Sequence, residues 1–483
     1  MTYITFDFYL FLVGLVVAYY ILPLKVRWLV LLTGSTGFYF YISDFSVPSI
    51  LMMVGATFIC WVSAAAISKS SRFKKVWLVP ALAVTVIPLL AIKEAPFVSA
   101  KFLHGSALPS WWIAPIGIAF YSLQLVSYVI DVYKGTIHPE KNILKFFLFV
   151  SFFPQIIQGP IPRYAQLQHQ LTAGNRFDDR KFVKGFMLIL WGFFLKLCIA
   201  DKAGIVVNQI FDNYPTYVGM YALVGGILYS FQLYADFLGC TTLAQGIAGV
   251  FGIELINNFE RPYFSDSVKE FWRRWHISLS SWLRDYVYIP LGGSRKGKIR
   301  KYINLLITFT VSGIWHGSGY RFLFWGLLHG FYQVTGDLLS PVKRFVSSKL
   351  GLDKYPSMKR IFKSIFTFVL VMFAWIIFRA GNLTIGLSMV KSIFTVYNPW
   401  ILTNYKIYSL GLQWIEVCVL ILSLGVLLGV EIVQEKGIDL KENILRCWLP
   451  VRWGIYIGAM VFIIIFGTYG YGYDAQAFIY GGF

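Results

Sequence analysis

The sequence of 483 residues is short of charge: 14% of it is Asp, Glu, Lys or Arg, against 57% hydrophobic residues, where soluble domains carry about 25% charged ones. That balance disfavours a disordered tail and a soluble enzyme, and points to lipid as the main solvent. Cysteine is scarce as well. Cys60, Cys198, Cys240, Cys418 and Cys447 are scattered, mostly through apolar runs, without a CxxC or a Cys/His pair, so neither a disulfide framework nor a metal site is expected. Also missing are a GxSxG elbow, a P-loop, an HExxH helix and any Ser/His/Asp spacing, which removes the working parts of a serine hydrolase, an ATPase and a zincin. No charged n-region or small-residue cleavage site accompanies the first apolar run, so Phe6 to Leu22 reads as a retained span.

What is present is apolar length. Segments of spanning or near-spanning size fall at about 6–22, 28–42, 49–67, 76–92, 111–130, 185–200, 217–238, 302–318, 320–338, 364–380, 411–430 and 453–470, giving roughly twelve crossings at about 20 residues each. The expectation is an all-α polytopic membrane protein. With the N-terminus outside, the great majority of the 43 Lys and Arg fall in inside loops, so the net charge of +20 mainly sets orientation and contact with anionic lipid heads. Nucleic acid is not the partner this charge implies. With no internal repeat or low-complexity linker, a single membrane domain over 1–483 is the economical division: N-terminal spans to 110, a motif-bearing core over 111–338, and C-terminal spans with an aromatic tail over 339–483.

Two stretches resist a simple span. Leu144 to Pro160 is apolar but broken by Pro154, Gly159 and Pro160, and Gly239 to Gly252 is apolar but glycine-rich and short. Such backbone survives at membrane depth only where protein or a wet cavity satisfies its polar groups, so both are expected to be re-entrant or interior helices.

From Lys269 to Arg300 the chain reads KEFWRRWHISLSSWLRDYVYIPLGGSRKGKIR. Phe271, Trp272, Trp275, Leu279, Trp282, Leu283 and Tyr286 recur at spacings of three and four, which predicts an amphipathic helix in the interface plane. A plain anchor would suffice for that pattern, but His276, Ser278, Ser280 and Ser281 add polar capacity beyond it. Further on, His316 and His329 lie in or beside apolar spans. A histidine in hydrocarbon needs a partner or a wet cavity, and is a functional hypothesis by default. Gly313 and Gly317 give His316 room for a substrate or another backbone; His329 is read as packing. A lone imidazole can take a proton from a hydroxyl as its oxygen attacks an activated acyl group. Acyl transfer is therefore expected, without metal or bound cofactor.

These residues carry a resemblance. FWRRWHISLSSWLRDYVYIPLGGSR followed by SGIWHG, with PIGIAFYSLQLVSYVIDVYKG, FFPQIIQGPIPRY, YSFQLYADFLGC, NFERPYF and FAWIIFRA in order, resembles the membrane-bound O-acyltransferase superfamily. The similarity is to its bacterial alginate O-acetyltransferase-like and peptidoglycan O-acetyltransferase-like branch. The resemblance implies about 11–12 transmembrane helices with re-entrant and interfacial helices around a central tunnel, in a bacterial cell membrane. It puts the catalytic histidine of the WHG motif on His316, beside Trp315, and the second histidine, of RWH, on His276 near the cytoplasmic mouth. Asp236 matches an aspartate that positions polar groups, although DFLGCTT departs from the usual motif at Leu238, Cys240 and Thr242. The closing AFIYGGF resembles the aromatic tail of this branch, in which a tyrosine carries the acyl group outward; that residue is Tyr480, and Gly481 and Gly482 depart from the pattern.

The implied reaction takes an acyl group, acetyl by this branch, from a cytoplasmic thioester on coenzyme A or an acyl carrier protein. Arg273, Arg274, Arg295 and Lys296 would attract the donor's phosphates. The group would reach a polysaccharide acceptor through an extracellular SGNH-type O-acetyltransferase partner, with both termini outside. D-alanyl transfer to teichoic acid, a transporter of polysaccharide or lipid precursors, and a structural scaffold stand as alternatives.

Overall fold

The computed structural model describes residues 3–70, 72–102, 114–349 and 351–469. Among them the regular structure is helical, with no strand. Among the described residues seven helices are long and apolar enough to cross a membrane, and the twelve apolar segments read from sequence each overlap a helix. The chain forms two compact units, the first from residues up to Phe193 with Cys240–Asn257, the second from Phe194–Gly239 with the chain from Asn258 onward.

The first unit holds α1 (Phe6–Ile21), α2 (Arg27–Ile42), α3 (Val47–Lys69), α4 (Lys74–Phe102), α5 (Ile118–Lys134), α6 (Ile143–Ser151), α7 (Tyr164–Thr172) and α8 (Asp179–Phe193). α6 begins at Asn142, whose side chain accepts from the N–H groups of Leu144 and Lys145, and it stops at Phe152 ahead of Pro154. Proline there removes a donor and forbids continuation. The freed groups are met by side chains: Tyr3 donates to the Phe153 carbonyl at 2.8 Å, the Phe153 N–H donates to Ser35 Oγ at 3.2 Å, and Gln155 Nε2 donates to the Phe149 carbonyl at 2.8 Å. From Leu148 to Ile156 this broken segment is buried, as an interior helix should be.

The glycine-rich stretch is different. Gly239 to Gly249 is no re-entrant piece but the last third of one long helix, Met220–Gly249. Its glycines serve close approach: a Cβ on Gly246 would lie 2.7 Å from the Gly185 carbonyl oxygen, and one on Gly185 would lie 2.9 Å from the Gly246 oxygen. Small residues let helix backbones meet in this way. The turn that follows ends at Gly252, with φ of 76°.

The second unit is built from α9 (Asp201–Asp212), which follows a π-helical stretch Phe194–Ala200, then α10 (Met220–Gly249, its part up to Gly239), α11 (Val268–Arg274), α12 (Ile277–Leu283), α13 (Lys298–His316), α14 (Tyr320–Leu338), α15 (Ser340–Lys349), α16 (Pro356–Arg379), α17 (Leu383–Thr395), α18 (Trp414–Glu435) and α19 (Leu449–Phe466). α16 shows how the unit meets lipid. Ile361, Phe362, Ile365 and Phe366 near its start are exposed, whereas Val371, Ala374 and Trp375 further along are fully buried; exposed rows of large apolar side chains suit hydrocarbon rather than water.

α13 and α14 form the tightest pair. A Cβ on Gly313 would lie 2.3 Å from the Phe322 carbonyl oxygen, and one on Gly326 would lie 2.3 Å from that of Phe309. The room beside His316 is thus filled by another backbone, which fixes the end of α13. Gly326→Ala is expected to destabilise the protein by about 1–3 kcal/mol through overpacking. Gly336→Ala, in the same helix where an added Cβ meets nothing nearer than Lys343 Nζ at 4.0 Å, should be neutral or stabilising. Thermal melts in detergent compare them, and equal behaviour would contradict the contact.

Candidate active site

The expected interfacial helix is interrupted where the chemistry lies. α11 is capped by Ser267, whose hydroxyl accepts from the Glu270 N–H, and it ends at Arg274. Trp275 is extended and His276 is left-handed, with φ 44° and ψ 54°, before α12 starts at Ile277. One continuous amphipathic helix over this stretch is therefore ruled out. The kink turns His276 inward to complete burial, where its ring meets Phe237 at 4.7 Å and Trp315 at 5.9 Å between centroids. Nδ1 lies 3.2 Å from Oδ1 of Asn258. Burial pushes the His276 imidazole down, to about 3, so the ring is neutral at physiological pH.

His316 is the last residue of α13, and it is 1% exposed. Three aromatic rings stand edge-on to it: Trp315 at 4.9 Å, Trp325 at 5.0 Å and Phe378 at 5.6 Å. Trp325 comes from α14 and Phe378 from α16, so three helices hold one imidazole. His276 and His316 each pack against Trp315, which puts the two histidines in one aromatic cluster.

His329 sits on the neighbouring turns of α14. Its Nδ1 accepts from Trp272 Nε1 at 3.2 Å, and its ring packs on Trp272 and Trp325. An accepting Nδ1 means a neutral ring with its proton on Nε2, in keeping with the packing role expected of it.

A second buried cluster lies in the π-helical stretch. Lys196 Nζ is 2.7 Å from Asp236 Oδ1 and 2.8 Å from Asp201 Oδ1, all three side chains less than a tenth exposed. A π-helical turn shifts side chains out of α register and often marks a functional position. Asp236 is next to Phe237, the ring against His276, so the ion pair holds the segment of α10 that supports the histidine.

Comparison with known proteins decides the family. The model of the membrane-bound O-acyltransferase family matches residues 140–380. The probable alginate O-acetylase of Pseudomonas aeruginosa is 34% identical over 416 residues, 84% of this chain and 77% of that protein. The chain belongs to the membrane-bound O-acyltransferase family. The probable alginate O-acetylase of Pseudomonas putida is 39% identical over 302 residues, 62% of this chain and 59% of the relative. The peptidoglycan O-acetyltransferase of Helicobacter pylori is 32% identical over 397 residues, 75% and 72% of the two chains. The resemblance read from the motifs is thereby borne out: the protein is a multi-pass membrane acyltransferase, and its relatives fall in the expected branch.

Within this acyltransferase, the residues named from sequence fall in different settings. His276, His316 and Trp315 come together, and Asp236 supports them through its ion pair. Arg273, Arg295 and Lys296 are exposed and make no ion pair among the described residues. Arg274 does not share that freedom. It bonds Glu435 at 3.0 Å and Glu270 at 2.6 Å, and the same Glu435 carboxylate accepts from Arg261 at 2.6 Å and from Arg360. Burial disfavours the charged Arg274 guanidinium, but the Glu435 and Glu270 carboxylates outweigh it and hold its pKa above the usual range. Arg274 is thus a brace between α11 and α18, not an open phosphate ligand. Tyr480 lies outside the described residues.

Sequence reading missed Lys196 with Asp201, and Asn258. A lone lysine in an apolar span was the available signal for the first, but partners 5 and 40 residues away in sequence become legible only in the fold. Lys196→Met would leave two carboxylates buried together, and breaking such a pair costs about 3–5 kcal/mol. The expected result is a large drop in melting temperature in detergent, mostly recovered when Asp201→Asn and Asp236→Asn are added; a Lys196→Met protein as stable as the parent would contradict the structural weight given to the pair.

Proposed function

We propose that this acyltransferase moves an acetyl group from a cytoplasmic thioester across the membrane for O-acetylation of an extracellular or cell-wall polysaccharide. The single observation that carries the reading is His316: a buried imidazole at the end of a helix, held by three rings in a family that transfers acyl groups. A neutral imidazole is a general base matched to neutral pH. His316 takes the proton of the acceptor hydroxyl while that oxygen attacks the thioester carbonyl, and the thiol leaves. Tyr480 is the proposed first acceptor, which would carry the group toward an SGNH-type partner and the polymer.

The donor is coenzyme A or an acyl carrier protein bearing the thioester, attracted by Arg273, Arg295 and Lys296. The relatives named for alginate and peptidoglycan O-acetylation support an acetyl group and a polysaccharide acceptor. Inside-facing positive loops support termini on the outer side of a bacterial cell membrane.

Cells deleted for this chain are expected to lose base-labile acetate from exopolysaccharide or wall fractions. The wild-type chain should restore it and His316→Ala, present at equal level, should not. Restoration by His316→Ala would refute the mechanism. Mass spectrometry of the C-terminal peptide should show an acetyl ester on Tyr480; the heavier alanyl ester would assign the reaction to teichoic acid D-alanylation instead.

A further inference from the structure

We propose that Asn258 is a positioning residue that fixes His276 as the Nδ1–H tautomer, so that His276 presents Nε2 as an acceptor for a substrate hydroxyl or amide N–H. It follows that His276 does not donate a hydrogen bond to the oxyanion of the acyl transfer. This rests on the reading of the His276–His316 cluster as the site of acyl transfer.

The argument starts from a donor whose direction is not in question. The Ser278 backbone N–H lies 3.1 Å from Asn258 Oδ1, and a backbone amide can only donate. The atom facing it is therefore the carbonyl oxygen of the Asn258 side chain, which accepts the Ser278 hydroxyl as well, at 2.9 Å. His276 Nδ1 stands 3.2 Å from that same oxygen. Two lone pairs would repel there, so Nδ1 carries the proton, and in a neutral imidazole Nε2 then holds the lone pair.

Asn258 also supports the backbone. Its main-chain carbonyl accepts the Ile277 N–H at 2.9 Å, and with the side-chain bond to Ser278 it ties down both residues after the left-handed His276. A sparsely populated conformation persists where its surroundings over-determine it, and such residues cluster at active sites. Asn258 is buried, 2% exposed, and opens the NFERPYF motif, for which the acyl-transfer mechanism alone has no use.

The charged and titratable neighbours among the described residues lie on four elements. On α10 the ring of Phe237 faces His276, and adjacent Asp236 is paired with Lys196. On α13 Trp315 faces it, and the next residue is His316. On α11 the nearest charge in sequence, Arg274, is taken by Glu270 and Glu435. α12 offers Ser278.

Asn258→Asp keeps the accepting oxygen and adds a negative charge against Nδ1–H. An opposite charge at that distance stabilises imidazolium by about one pH unit or more, so the pH at which the His276 15N signals of the folded protein titrate should move upward by about that much. An unmoved His276 titration in a folded Asn258→Asp protein would overturn the proposal. A second measurement needs no Asn258 variant: selective 15N-histidine NMR of the wild-type protein in bilayers, with His276 assigned by loss of its signals in His276→Asn. The expected spectrum shows a protonated Nδ1 and an unprotonated Nε2; the reverse tautomer would overturn the assignment. Failure of the wider reading is separable, because an active His316→Ala protein would remove the acyl-transfer site and leave the tautomer result intact.

Discussion

Within hydrocarbon no water is available to a polar group, so each backbone carbonyl, imidazole and charged side chain must be satisfied by another part of the chain or by a ligand. That constraint organises this protein at three scales. At the smallest, the broken segment after α6 is satisfied by hydrogen bonds that Tyr3 and Gln155 donate and Ser35 accepts. At the next, Lys196 pairs with two aspartates at a π-helical turn. At the largest, the histidines are wrapped by rings from α10, α11, α13, α14 and α16. Their geometry is set by packing.

The same constraint explains why glycine matters near the site. Gly313 and Gly326 bring α13 and α14 within backbone contact, and this contact holds the end of α13 where His316 projects. The opposite end of the unit uses charge instead. Glu435 on α18 gathers Arg261, Arg274 and Arg360, binding the start of α16 and the end of α11 to one carboxylate. Between the two anchors, α16 carries both Arg360 and Phe378, so the arginine cluster and the ring against His316 are features of one spanning helix.

Much of this was legible beforehand because apolar length and helical spacing are local properties. The twelve apolar segments fell on helices, and the RWH and WHG motifs marked the histidines that the fold brings against Trp315. What stayed hidden depended on partners distant in sequence. Glycine in Gly239–Gly252 signals either a break or a close helix contact, and only the presence of Gly185 opposite decides for contact. The spacing of aromatic residues from Phe271 to Tyr286 suggested one helix, but it carries no mark of the left-handed turn at His276, which Asn258 stabilises from another segment. Arg274 looked like its neighbour Arg273 in sequence; a carboxylate 161 residues away separates their roles.

The central claim is that His316 drives acyl transfer from one face of the membrane to the other. It is tested most directly in proteoliposomes of defined orientation, with radiolabelled acetyl thioester supplied only on the face of the exposed Arg273, and acetyl esters collected on the opposite face. The account predicts label on the far side with the wild-type chain and none above background with His316→Ala. Equal far-side labelling by the two proteins would contradict it.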